Sequence, residues 1–227
     1  MRIHCVIAAT ITCACSAPLM PAAGSTCFGG PAKGRIVDAV ALPASGKNFG
    51  PYAQMGVRLG RTFVHATVRD IVVGAYKDLE SAQPGISYLY GETGLRQGGP
   101  IPPHRTHQAG ISVDFMVPVR NRDGRPATLP ISAANQYGYG HEFDNGGRSG
   151  QVQIDFDAIA AHLYYLDRHA RARGVGIARV IFDPIFTHRL MRGPGGPRIQ
   201  TLPFMKATPW IRHDEHYHVD FALHCER

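Results

Sequence analysis

Ile111-Ser112-Val113-Asp114-Phe115-Met116-Val117 is the stretch that decides the fold class, because its side chains alternate in kind. Ile111, Val113, Phe115 and Val117 fall on one face, and Ser112, Asp114 and Met116 on the other. That is the period of a β-strand, with one carboxylate on its polar side. Upstream, residues 91–103 form a loop punctuated by Gly94, Gly98, Gly99, Pro100, Pro102 and Pro103. Residues 86–90 are β-branched and aromatic and read as a strand. Residues 62–79 have helical spacing, with Val64, Val68, Ile71, Val72, Ala75, Tyr76 and Leu79 on one stripe. Residues 24–60 are rich in Gly, Pro and Ser and predict an extended entry with one or two edge strands.

Downstream, residues 120–150 are polar, glycine-rich and long for a compact domain, which suggests a functional loop or insertion carrying Tyr137, Tyr139 and His141. A helix capped by Asp155 or Asp157 runs to Arg173, with Phe156, Ile159, Ala160, Leu163, Leu166 and Ala170 inward, and Gly174 ends it. Residues 179–182 read as a strand, a short helical piece reaches Met191, residues 192–197 are a turn, and residues 217–223 are the last strand. Helices and strands mix without strict alternation. The expected class is α+β, one domain with a small antiparallel sheet flanked by helices and long loops.

With 44% hydrophobic residues in 227, the chain has enough apolar content to exclude disorder. Its formal charge of +7 favours polyanions, whether nucleic acid, anionic lipid or acidic cell-wall polymers. No pattern of a nucleic-acid-binding module accompanies the charge. Beyond the first two dozen residues, no apolar run approaches the ~20 residues needed to span a bilayer. The first residues read differently. Arg2 precedes an apolar, small-residue run from Ile3 to Ala17 that ends at Pro18, the pattern of a secretory signal over residues 1–23 cleaved somewhere in 16–23. Lipidation at Cys15 is a weaker option. The mature domain is then residues 24–227. Cys5, Cys13 and Cys15 fall inside the signal, leaving Cys27 and Cys225 as an expected disulfide in an oxidising compartment.

Chemistry concentrates in the 12 histidines, five of which fall in two clusters. The first runs from His104 through His107 to Asp114, and the second holds His213, His216 and His218. His107 leaves a Pro/Gly loop just before a strand that projects Asp114, so an imidazole and a carboxylate can converge on one cation. His216 and His218, two apart on a strand, share a face. With His107, Asp114 and His218 as protein ligands, a fourth position stays open, the pattern of catalytic rather than structural zinc. His216 then lies beside the metal. Glu215 is a rival general base, although on a regular strand it faces away from His216 and His218.

These residues resemble the penicillin-insensitive murein endopeptidases, zinc peptidases of the LAS type. The match runs through His104-x-x-His107-Gln108-x-Gly110-x-x-Val113-Asp114, Ile181-Phe182-x-Pro184, and Pro209-Trp210-x-x-His213-x-x-His216-x-His218-Val219. Weaker similarity reaches Gly34-x-Ile36-Val37 and His65. The resemblance implies one catalytic zinc on His107, Asp114 and His218, with His216, His213 and His104 as catalytic histidines. It also implies a periplasmic enzyme that cleaves peptidoglycan cross-links of the D-alanyl to meso-diaminopimelyl type. Alternatives on the same scaffold are an L,D-endopeptidase, a D,D-carboxypeptidase, an amidase, or a wall-binding adaptor without catalysis. His213 or His104 is expected to stabilise the oxyanion. The chain departs from the family at Pro102-Pro103, where small flexible glycines are expected, and lacks a longer cysteine-containing tail after Cys225. Trp210, beside the second cluster, reads as core or as a lining of the groove, Tyr164-Tyr165 read as core, and His162, His169 and His188 as surface or satisfied histidines.

Overall fold

The computed structural model describes residues 24–132 and 135–227. The signal expected over residues 1–23 lies outside the described residues. In chain order the elements are β1 (Thr26–Gly30), β2 (Lys33–Val37), β3 (Val40–Ala41), β4 (Phe49–Pro51), α1 (Gln54–Arg58), β5 (Phe63–Val64), α2 (Ala66–Ala82), β6 (Tyr88–Tyr90) and β7 (Ser112–Met116). They continue with β8 (Val119–Asn121), β9 (Pro126–Ala127), β10 (Arg148–Ser149), β11 (Val152–Ile154), α3 (Phe156–Arg171), β12 (Ile177–Ile181), α4 (Pro184–Arg192) and β13 (His216–Phe221). The class is α+β, as expected.

The central sheet has the order β12-β13-β7-β6-β4. It is mixed rather than wholly antiparallel, because β4 and β6 run parallel. The chain between them crosses back through α1, β5 and α2, and such a crossover delivers a parallel strand. Helices α2 and α3 pack on each other. Val68, Ile71, Val72, Ala75 and Leu79 of α2 and Ile159, Leu163 and Leu166 of α3 share one core with Val113 and Phe115 of β7 and Tyr217 and Val219 of β13. Both faces of β7 and β13 are buried. The inward face meets the helices, and the other face carries the polar site.

The first long helix starts later than its apolar stripe suggests. Phe63 and Val64 pair with Val40 and Ala41 instead, and His65 caps α2 by accepting the Thr67 N–H at 3.1 Å. Asp155, not Asp157, caps α3, taking the Ala158 N–H at 3.1 Å. Residues 24–60 hold four strands rather than one or two, because β1 and β2 form their own hairpin. The 120–150 stretch is likewise not a bare loop. Its ends contribute to a second sheet, β10-β11-β8-β9. Tyr164 and Tyr165 are half-buried against the core. His188 is exposed and His169 meets Asp78 at 2.9 Å, as expected. His162 is instead fully buried, with Nδ1 2.5 Å from the Tyr217 hydroxyl and Nε2 unpartnered.

Cys27 and Cys225 form the expected disulfide, spanning 198 residues of sequence. Beside it, the Glu226 N–H donates to the Cys27 carbonyl and the Gly29 N–H to the Glu226 carbonyl.

Candidate metal centre

Register builds the site. β7 and β13 pair antiparallel with Asp114 directly opposite His218. The two-residue period of β13 puts His216, His218 and Asp220 on one face. His107 arrives from the loop before β7 with φ +69°, a left-handed conformation uncommon for a residue with a side chain. Its Nδ1 lies 3.1 Å from the Thr93 carbonyl, which accepts the N–H and leaves Nε2 free to accept. The approach depends on Gly94, where a Cβ would stand 2.9 Å from the His107 carbonyl oxygen and 3.0 Å from that of Phe63.

Three donor atoms therefore converge. His107 Nε2 is 3.2 Å from Asp114 Oδ1 and 3.1 Å from His218 Nδ1, and His218 Nδ1 is 2.8 Å from Asp114 Oδ1. Donors around a tetrahedral cation with bonds of ~2.0–2.1 Å stand roughly 3.3 Å apart, so the spacing fits a small divalent ion. His104, His107 and Asp114 also form a group able to hold a metal ion, with one atom of each inside a 4.8 Å span. In that group His104 is the looser member. Its Nε2 faces Glu92 and its Nδ1 is 3.8 Å from Asp114 Oδ2.

The surroundings favour a positive charge. Asp114 is buried, which raises a carboxyl's pKa, yet the neighbouring His107 and His216 hold it well below the usual carboxylate range. Burial lowers His218, but Asp220 and Asp114 outweigh it and push its pKa up to about 9. Asp220 Oδ1 takes His218 Nε2 at 2.8 Å and also the Ser112 hydroxyl, while Arg179 Nε donates to its Oδ2 at 2.8 Å. A carboxylate behind a ligating histidine fixes the ring and raises its basicity.

The remaining histidines line the same open cleft, together with Pro103, Thr106, Tyr139, Trp210 and Ile211. Thus all six residues singled out from the sequence (His104, His107, Asp114, His213, His216 and His218) meet in one place. His216 presents Nε2 3.9 Å from Asp114 Oδ2, and its Nδ1 lies 3.0 Å from Glu215 Oε1. Burial lowers its pKa to about 4. His213 packs on it with ring centres 4.5 Å apart, places Nδ1 2.7 Å from the Ile211 carbonyl, and is also lowered to about 4 by burial. Glu215 is buried, its pKa raised to about 7 by desolvation, and it lies behind His216 rather than in the cleft lining. Trp210 is not core. It is 41% exposed and stands edge-on to His213 at 5.9 Å.

Three contributors carry no site assignment from the sequence, which offers Tyr139 only as part of the 120–150 loop. Glu92, buried, joins His104 to Arg61. The Tyr139 hydroxyl, from the glycine-rich loop, donates to Asp114 Oδ2 at 3.2 Å. Asp220 carries a signal that was there to find, since it continues the same-face spacing of His216 and His218. Glu92 and Tyr139 are far from the histidine clusters in sequence, and folding alone brings them in.

No curated protein matches the chain. The profile of the penicillin-insensitive murein endopeptidases does match, over residues 27–227 and so through both histidine clusters and every strand that holds them. Together with the site geometry, this makes the chain a member of the penicillin-insensitive murein endopeptidase family, a peptidoglycan hydrolase.

Proposed function

We propose that the chain is an exported zinc endopeptidase that hydrolyses peptidoglycan peptide cross-links of the D-alanyl to meso-diaminopimelyl type. The observation that carries this reading is the trio His107 Nε2, Asp114 Oδ1 and His218 Nδ1, mutually 2.8–3.2 Å apart at the floor of an open cleft. Two imidazoles and one carboxylate are a donor set that suits zinc with a position left for reaction. When bound, zinc supplies Lewis acidity and makes water nucleophilic near neutral pH.

The chain's own residues do the rest. His216 donates Nδ1–H to Glu215, which leaves the Nε2 lone pair facing the cleft to take a proton from water and return it to the leaving amine. Glu215 then orients His216 and is not itself the base. His104 donates Nε2–H to Glu92 and keeps Nδ1 on the Asp114 side of the cleft, so in its protonated form that second N–H stabilises the oxyanion. His213 is turned to a backbone carbonyl and supports His216. Residues 1–23 act as the secretory signal, and the domain of residues 24–227 works in the periplasm, where the Cys27–Cys225 bridge persists.

The test is digestion of cross-linked muropeptide dimers by the zinc-loaded protein, with products resolved by mass spectrometry. Dimers are expected to become monomers, and both a chelator and His216→Ala should abolish the conversion. Loss of a terminal alanine alone, release of an intact stem peptide, or no product with zinc bound would each replace this reading, with a carboxypeptidase, an amidase or an adaptor respectively.

A further inference from the structure

Arg105 stands inside the first histidine cluster and plays no part in the chemistry above. Of the arginines on the elements around the cleft, Arg61 is committed to Glu92. Arg212 is committed to Glu142, Asp183 and Asp214. Arg105 is exposed and has no carboxylate partner among the described residues. Its guanidinium carbon lies 5.2 Å from the centre of the Trp210 ring. From there an aromatic row leads inward, Trp210 to His213 at 5.9 Å and His213 to His216 at 4.5 Å. A guanidinium laid near an indole is held by the ring's electron density, while its N–H donors stay available to an anion. Ile211, also exposed, extends the apolar part of this rim.

The substrate class proposed above supplies the anion. In a D-alanyl to diaminopimelyl link, the carbon that bears the scissile nitrogen also bears a free carboxylate. Every productive complex therefore brings a negative charge within a few ångströms of the bond to be cut. Glu92 is already engaged by Arg61 and His104, and Asp114 by His107 and His218, so Arg105 is the exposed guanidinium beside Trp210 left to attract that carboxylate. We propose that Arg105, stacked beside Trp210, forms a subsite for the substrate carboxylate adjacent to the scissile amide. The subsite rests on the cross-link reading and names the group that sets its specificity.

Trp210 is the chain's single tryptophan, so its fluorescence reports on this subsite directly. Zinc-loaded His216→Ala protein would be titrated with muropeptide dimers whose diaminopimelate carboxylate is either free or converted to the amide. The free form is expected to bind at least about tenfold more tightly. Adding Arg105→Gln should reduce its affinity to that of the amide, and Arg105→Lys should recover part of the difference. Equal binding of the two dimers, or an equal loss for both with Arg105→Gln, would overturn the subsite. Hydrolysis by the protein with His216 intact separates this inference from its parent. Cleavage without carboxylate discrimination removes the subsite and keeps the peptidase, whereas discrimination without cleavage keeps the subsite and removes the cross-link peptidase.

Discussion

Each of the three converging donors is held from behind. Thr93 fixes the His107 ring through its carbonyl, Tyr139 holds the second oxygen of Asp114, and Asp220 holds the far nitrogen of His218. The last is the most exacting, because Asp220 is itself pinned by Ser112 and Arg179. Asp220→Asn keeps the shape but removes the charge that makes His218 a strong donor. We expect zinc affinity to fall roughly 10–100-fold, as measured by competition with a chromophoric chelator, with an unchanged far-ultraviolet circular dichroism spectrum. Unchanged affinity would mean that the carboxylate serves the strand and not the metal.

At the scale of elements, α3 is tied to the sheet through an unusual residue. His162 is fully buried among Tyr76, Tyr88, Phe115 and Tyr217, and desolvation lowers its pKa from 6.5 to about 3. In the unfolded chain it binds a proton near pH 6.5, and in the folded chain it does not. Its contribution is therefore complete above pH 6.5 and is lost as pH falls towards 3, at up to about 1.4 kcal/mol per pH unit. Urea unfolding of the chelator-treated protein between pH 4 and 7 should show a slope that includes this contribution, and His162→Gln should reduce it, leaving the part that His213 and His216 supply. The same elements show what the sequence makes legible. Alternation exposes β7, and dense same-face histidines expose β13, because both signals are local. Helix α2 was misplaced at its start because Val64 satisfies a helical stripe and a strand equally well, and the partner that decides, Val40, is 24 residues away. The contacts of Glu92 and Tyr139 are not legible for the same reason, since they exist only once distant loops close over Asp114, although the length and glycine content of residues 120–150 mark the loop that carries Tyr139. Trp210 is open in sequence between core and groove wall, and the fold decides for the wall by setting it beside His213.

For the whole molecule, the decisive long-range link is covalent. On the chain-entropy account, a bridge spanning 198 residues removes enough freedom from the unfolded state to contribute up to about 5 kcal/mol, and native bridges typically contribute ~2–5. Cys27→Ser with Cys225→Ser should lower the unfolding free energy by that order, read from urea transitions at pH 7. The candidate metal site should stay intact, because neither cysteine touches it. A second cluster of buried residues, Cys27, Ala109 and Ile111, sits under the bridge, with Leu223 packed against it. The bridge also makes residues 27–225 a closed covalent ring. A single cut in any exposed loop, such as the one leading to Tyr139, opens the ring without releasing a fragment. A nicked molecule keeps both histidine clusters on one covalent body and held by one sheet.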